Sequence, residues 1–218
     1  MAALFPAAFG EDGLPEAWAA GAAGDLIEFN PKEPLKKGMA APYSDMSSLP
    51  TVGSSADLPI MREFGSGMRF RNGDALLARI TPCLENGKAA LVDFLTDESP
   101  VGWGSTEFIV HRPRPGTPRA LPYLLCRNDD YRSHAIQSMT GTSGRQRAQA
   151  DSLEAWRMAI PTGPVLKAFG DLVDAFFDRI SANSRENRTL AETRDYLLPR
   201  LMSGQVRVGD AVREVEAA

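Results

Sequence analysis

Histidine and cysteine are scarce in this 218-residue chain, with two of each. His111 and His134 have no second ligand close by in sequence, so a metal site is not expected, and each reads as a surface or capping residue. Cys83 and Cys126 have no paired spacing, and reduced thiols in a cytoplasmic protein are the simplest reading. No run of eighteen apolar residues is present, which excludes a hydrophobic helical membrane span. The start, Met1-Ala2-Ala3-Leu4-Phe5, lacks the basic opening of a signal peptide. An overall excess of positive charge is also missing. The net charge of −4 argues weakly against a bulk nucleic-acid binder, since such domains are usually basic.

Catalytic patterns are equally thin. Asn30-Pro31-Lys32-Glu33 begins like the Asn-Pro-Pro-aromatic motif of amino-methyltransferases, without the second proline or the aromatic. Gly102-Trp103-Gly104-Ser105 lacks the third glycine of a dinucleotide loop. Glu85 and Lys88 do not make the acidic-x-Lys pattern of many nucleases, and no nucleophile sits in a recognised elbow. The expectation is a chain that does no chemistry itself and needs no cofactor.

What is present is a composition ordinary for a globular protein, with 43% hydrophobic and 24% charged residues. The charge is unevenly placed. Residues 62–88 hold five basic side chains (Arg62, Arg69, Arg71, Arg79, Lys88) against three acidic ones (Glu63, Asp74, Glu85). The stretch richest in recognition chemistry is Gly141-Thr142-Ser143-Gly144-Arg145-Gln146-Arg147. Its glycines free the backbone, while its hydroxyls, amide and guanidinium forks suit phosphate oxygens and base edges. A plainer reading remains open at this point: Arg145 and Arg147 as solvated charges that pair with Asp151, and Glu107 as a structural residue that bonds the backbone of a neighbouring loop.

Residues 1–23 read as a lead-in rich in Ala, Gly and Pro, with a turn near Leu14-Pro15-Glu16. Residues 25–31 look like a helical turn or short strand stopped at Pro31, and residues 32–53 like loop. Short apolar runs at 75–80, 89–95 and 108–110 are strand signals, and Arg69 and Arg71 alternate with Met68 and Phe70 as on a strand with one wet face. Asn72-Gly73-Asp74 and Asn86-Gly87-Lys88 are turn signals. Helices are expected at 120–127 and 130–139, and a strand at 153–160. The alternation predicts an α+β domain over about 25–161.

The last third is different in kind. Thr162 can cap a helix and Pro164 suits its first turn. Val165, Phe169, Leu172, Phe176 and Ile180 recur at spacings of three and four, continue at Leu190, and resume at Leu197 and Leu201. Asn183 and Asn187 lie on that stripe, where polar residues set register in paired helices. Pro199 should disturb the last turn and Gly204 can end it. Residues 164–202 would extend roughly 58 Å at about 1.5 Å per residue. The expected organisation is a globular domain over 1–161 and a helical spacer with its tail over 162–218.

One set of motifs, in order along the chain, resembles the target-recognition domains of type I restriction-modification specificity subunits. It comprises Leu14-Pro15-Glu16-Ala17-Trp18 followed by Gly24-Asp25-Leu26, then Gly73-Asp74-Ala75-Leu76-Leu77-Ala78-Arg79-Ile80-Thr81-Pro82-Cys83-Leu84-Glu85-Asn86-Gly87-Lys88. Gly104-Ser105-Thr106-Glu107-Phe108, residues 141–147, and Leu198-Pro199-Arg200-Leu201-Met202-Ser203-Gly204 complete it. Members of that family usually carry two recognition domains and two long helices; here there is one of each, as in a half subunit or a fragment. The resemblance implies a non-catalytic role, with the globular domain gripping half of a bipartite double-stranded DNA target. It implies an antiparallel coiled coil with a second half, as a homodimer or with a different partner, and docking of methyltransferase and restriction subunits. Expected DNA contacts are Thr142, Ser143, Arg145, Gln146 and Arg147, with Arg79 and Lys88 beside them. The expected pairing face of the helix is Phe169, Leu172, Phe176, Ile180, Leu190 and Leu197. The rival expectation is a protein-interaction adaptor that uses the helix and never touches DNA, which the net charge of −4 slightly favours.

Overall fold

Ala75-Leu76-Leu77-Ala78 carries no polar residue, is buried at every position, and has a strand on both sides of it. The computed structural model describes residues 18–142 and 145–207. In chain order these form β1 (Ala19–Ala22), α1 (Ala23–Leu26), β2 (Ile27–Phe29), β3 (Ala40–Ser44), β4 (Ile60–Glu63) and β5 (Met68–Phe70). There follow β6 (Ala75–Ala78), β7 (Ala89–Leu91), β8 (Gly102–Gly104), β9 (Phe108–Pro113), α2 (Leu121–Cys126) and α3 (Asp129–Gln137). The last elements are α4 (Ala150–Glu154), β10 (Arg157–Ile160) and α5 (Gly163–Met202). Mixed strands and helices followed by a long helix make an α+β fold.

The strands form three sheets: β2-β9-β6-β7, β4-β3-β8-β5, and the pair β1-β10. Leu76 faces Val110 across one ladder and Ala90 across the other. With Leu49, Phe70, Val92 and Phe108 these residues form the main apolar cluster. Asn72-Gly73 is a tight turn, with Gly73 at φ +90°, where a side chain would be strained. The second turn signal behaves differently. Residues 81–88 coil through helix-like bonds, such as Asn86 N to Pro82 O at 2.9 Å and Lys88 N to Cys83 O at 3.0 Å, instead of making a two-residue hairpin.

Buried polar groups join distant segments. Arg112 donates to both carboxylate oxygens of Asp74 (2.7 and 2.6 Å) and to Glu33. Burial pushes the Asp74 carboxyl above its ordinary range, while Arg112 and the Arg71 N–H pull it down again. The Arg127 guanidinium donates to the carbonyls of Thr51, Gly53, Gly87 and Ala89, and so ties a long loop to β7. His111 is fully buried, not a surface or capping residue. Its Nδ1 meets Ile109 O at 3.2 Å and its Nε2 meets the Tyr131 hydroxyl at 2.9 Å, so the neutral ring is satisfied on both sides. His134 lies near the end of α3 and bonds Ser152.

Local expectations fail where long-range pairing decides. The segment 32–53, read as loop, contains β3, whose partners β4 and β8 lie well along the chain. The segment 153–160 is not one strand. Its first residues close α4, and only Arg157–Ile160 pairs, with β1. Leu153 and Glu154 belong to the short helix α4, which buries Leu153 alone.

The chain divides into two compact units, residues 1–175 and 176–218. In the first, α5 begins with Leu166 N bonded to Thr162 O, and the Asp174 carboxylate accepts the backbone N–H groups of Arg119 and Ala120 (3.1 and 2.9 Å). Leu166 and Phe169 line a small apolar cavity with Trp18, Leu26, Leu121 and Met158. Phe169, placed by the repeat on a pairing face, is thus half-buried inside its own unit. Leu172, one turn on, is 59% exposed. In the second unit Phe176 (60%), Ile180 (42%) and Leu190 (58%) are exposed, while Leu197 is half-buried. The helix runs through Pro199 to Met202 and stops at Gly204, whose φ of +72° suits a C-terminal glycine. No described helix is long and apolar enough to cross a membrane.

Candidate nucleic-acid interface

β6 leaves its sheet as Arg79-Ile80, and this short extension holds both ends of the segment 141–147. Arg79 N donates to Glu107 O (2.9 Å), Ala148 N to Arg79 O (2.8 Å) and Thr81 N to Gln146 O (3.2 Å). Thr140 and Arg147 exchange both backbone hydrogen bonds, at 3.1 and 2.9 Å. These two residues are therefore locked opposite each other, at the two ends of the segment 141–146. Gly141 makes the exit turn at φ +124°, and a Cβ there would stand 2.9 Å from Arg145 O. Glycine is required by conformation and by space. The Gln149 amide braces the base of the loop, donating to Thr140 Oγ1 (2.7 Å) and Arg147 O (2.8 Å).

The two arginines of the loop are in different electrostatic states. Arg147 places Nε within 2.9 Å of both Glu107 carboxylate oxygens and Nη2 at 2.7 Å from one of them. Glu107, rather than Asp151, is its partner, and that pairing raises the Arg147 pKa further. A fork held in this way braces the loop more than it reaches for phosphate. Arg145 is exposed and makes no side-chain hydrogen bond or ion pair among the described residues. Thr142 is exposed and Gln146 half-buried, while Ser143 lies outside the described residues.

Arg79 stands at the foot of the loop, half-buried, with a buried Nε that has no hydrogen-bond partner among the described residues. Leaving a buried guanidinium N–H unpaired is costly. Lys88 is placed otherwise. Its ammonium donates to Met46 O at 2.8 Å, and its charge helps hold the Asp45 carboxyl below its usual range, after the larger effect of the Ser47 hydroxyl. Of the cations expected beside DNA, Arg145 and Arg79 are therefore uncommitted, and Arg147 and Lys88 are engaged within the fold.

The Glu107 carboxylate holds the Arg147 side chain and not the backbone of a neighbouring loop, while its own N–H donates to Ser105 Oγ (3.1 Å). Tyr43, Arg62 and Trp103 form a grouping that the sequence does not signal. Arg62 lies over the Tyr43 ring, 4.8 Å from its centroid, and 5.9 Å from that of Trp103. Nothing local signals this grouping, because β3, β4 and β8 meet only through sheet pairing. Among the described residues no three His, Cys, Asp or Glu side chains are placed to hold a metal ion.

No family model matches the chain. A curated relative, the type I restriction enzyme EcoEI specificity subunit of Escherichia coli, is 30% identical over 155 residues, covering 68% of this chain and 26% of that protein. The EcoAI specificity subunit of Escherichia coli is 37% identical over 79 residues, covering 36% and 13%. The matched part of the chain therefore spans about a quarter of the length of the first of these relatives and 13% of the second. Among solved structures, one described as showing complex assembly and conformational transition of the type I R-M system superposes with a TM-score of 0.55 at 20% identity, over 89% of this chain and 51% of that one. The HsdS subunit from Thermoanaerobacter tengcongensis gives 0.52 at 14%, over 85% and 43%. The S subunit from M. genitalium gives 0.54 at 13%, over 85% and 46%. Sequence likeness to two curated specificity subunits, on a fold shared with two solved S subunits, makes this chain a member of the type I restriction-modification specificity subunits.

Proposed function

We propose that this chain supplies DNA sequence specificity to a type I restriction-modification system, reading half of a bipartite target and doing no chemistry of its own. The observation that carries the reading is the clamped loop 141–146, which holds Arg145 exposed and without a partner among the described residues while Arg147 is fixed on Glu107. A rigid base with a free guanidinium fork suits a contact to phosphate or to guanine O6 and N7. Thr142, Ser143 and Gln146 are the polar neighbours from which further base contacts are drawn, with Arg79 at the foot of the loop.

The helix has a second role in this reading. Leu172, Phe176, Ile180 and Leu190 are exposed apolar side chains spaced to lie along a helix, and they are the face for an antiparallel coiled coil with a second copy or a different half. Two copies would present equal recognition domains, and the bound site would be an interrupted palindrome. Methyltransferase and restriction subunits dock on that scaffold in the cytoplasm.

Selection from a randomised duplex pool, followed by anisotropy titration of the selected duplex against a scrambled one, tests the reading. Wild type should prefer the selected site, with affinity falling steeply as salt rises. Arg145→Ala should lose about 1–3 kcal/mol of discrimination. Equal affinity for both duplexes would remove the reading. It would favour an adaptor that works through the helix alone, toward which the exposed apolar residues and the net charge of −4 point.

A further inference from the structure

A polar cleft of about 400 Å³ opens beside the turn that braces the loop. Its floor is Trp103 on β8, buried to 5% exposure, with the Tyr43 ring tilted against it at 4.5 Å between centroids. Arg62 on β4 covers the Tyr43 face, and its carbonyl accepts the Trp103 indole N–H at 3.3 Å. Ser66, Ser105 and Thr106 line the opening with hydroxyls, and Glu63 follows Arg62 along the strand.

Two features show that the cleft is built into the fold. Gly67 lies against β8 so closely that a Cβ would overlap the Gly104 carbonyl oxygen, so the turn 65–67 is pressed onto that strand. Ser105 and Thr106 also run directly into Glu107, the residue that holds Arg147. One short turn thus lines the cleft and fixes the recognition loop.

The lining selects a ligand class. A guanidinium stacked on an aromatic ring loses part of its rotamer freedom before anything binds, and its N–H groups remain available. Hydroxyls with an arginine fork match phosphate oxygens and sugar. We infer that the Arg62–Tyr43–Thr106 cleft is a second DNA-contact subsite that takes a backbone phosphate flanking the bases read by loop 141–147. It rests on the DNA-recognition reading of that loop. Arg62 is the phosphate contact, Thr106 adds a hydroxyl, and Glu63 opposes the anion and limits sequence-independent binding.

The test uses the full chain and two labelled duplexes, one selected by the wild type from a random pool and one scrambled, titrated between about 50 and 200 mM salt. Arg62→Ala should weaken both duplexes by the same factor, about threefold to tenfold, and lower the salt slope by about 0.9. Arg62→Lys should keep most of the slope. Glu63→Gln should tighten both duplexes by about twofold to fivefold, a gain that a folding defect does not produce. An unchanged slope in Arg62→Ala, with Arg145→Ala impaired, overturns the cleft and leaves the loop reading standing. Loss confined to the selected duplex overturns the phosphate assignment, because the cleft would then read a base. Wild type that binds neither duplex overturns the cleft and the loop together.

Discussion

Glu107 and Arg147 are 40 residues apart in the chain and share three hydrogen bonds of 2.7–2.9 Å. The pair joins the end of the turn before β9 to Arg147, which is locked opposite Thr140. Glu107→Gln should free the Arg147 fork and add positive charge beside DNA. Affinity for a scrambled duplex should then rise while preference for the selected one falls. Arg147→Ala should also lose preference, because the loop loses the same brace. Anisotropy titration of both duplexes checks this, and an unchanged affinity ratio in Glu107→Gln rules out a positioning role.

Gly141→Ala tests the loop from its backbone. The added methyl meets Arg145 O at 2.9 Å in a conformation that side chains rarely adopt. The local cost is about 1–3 kcal/mol. Because the loop is short and peripheral to the sheets, the thermal midpoint should move little while preference for the selected duplex drops as in Arg145→Ala. Full retention of preference would mean that loop shape is not what is read.

The two sides of α5 should respond to different assays. Leu166 is 8% exposed and packs within its own unit, so Leu166→Ala should cost about 2–5 kcal/mol in chemical unfolding. Phe176 is 60% exposed, and Phe176→Asp should leave folding intact and abolish pairing. Light scattering after size exclusion should give twice 23.6 kDa for wild type and 23.6 kDa for the variant. A wild type that stays at 23.6 kDa would exclude self-pairing.

His111 predicts a pH dependence. Burial pushes its pKa down to about 4 from an ordinary 6.5, with Ile109 O, the Tyr131 hydroxyl and the Phe29 ring around it. The unfolded chain binds a proton in that interval and the folded chain does not. The contribution is therefore complete above about pH 6.5 and is lost as pH falls toward 4, on the order of 3 kcal/mol in full. His111→Gln keeps a group able to bond Tyr131 and removes the titration. Its urea midpoint should fall less than that of wild type between neutral pH and pH near 4, and equal losses would show that His111 does not titrate this way.

Features that depend on a few neighbouring residues were legible in the chain. The Asn72-Gly73 turn, the helices at 121–126 and 129–137, and the glycine that ends α5 follow from backbone freedom and apolar spacing. The loop 141–147 stood out for the same reason, because its residue types are unusual together. The state of each side chain in it was not legible. Lys88 and Arg145 look alike as sequence, yet one ammonium is held by Met46 O and one guanidinium is exposed. That difference comes from segments brought together by folding.

Apolar periodicity and the ordered motifs determined that a mixed domain precedes a long helix, and placed the chain in its family, since both depend on residues close in sequence or kept in order. Only the tertiary structure decided that Glu107 fixes Arg147, that His111 is buried, and that Tyr43, Arg62 and Trp103 gather in one cleft. Sheet pairing and side-chain contacts across 20 to 60 residues create these neighbours, and no local spacing rule encodes which strand lies beside which.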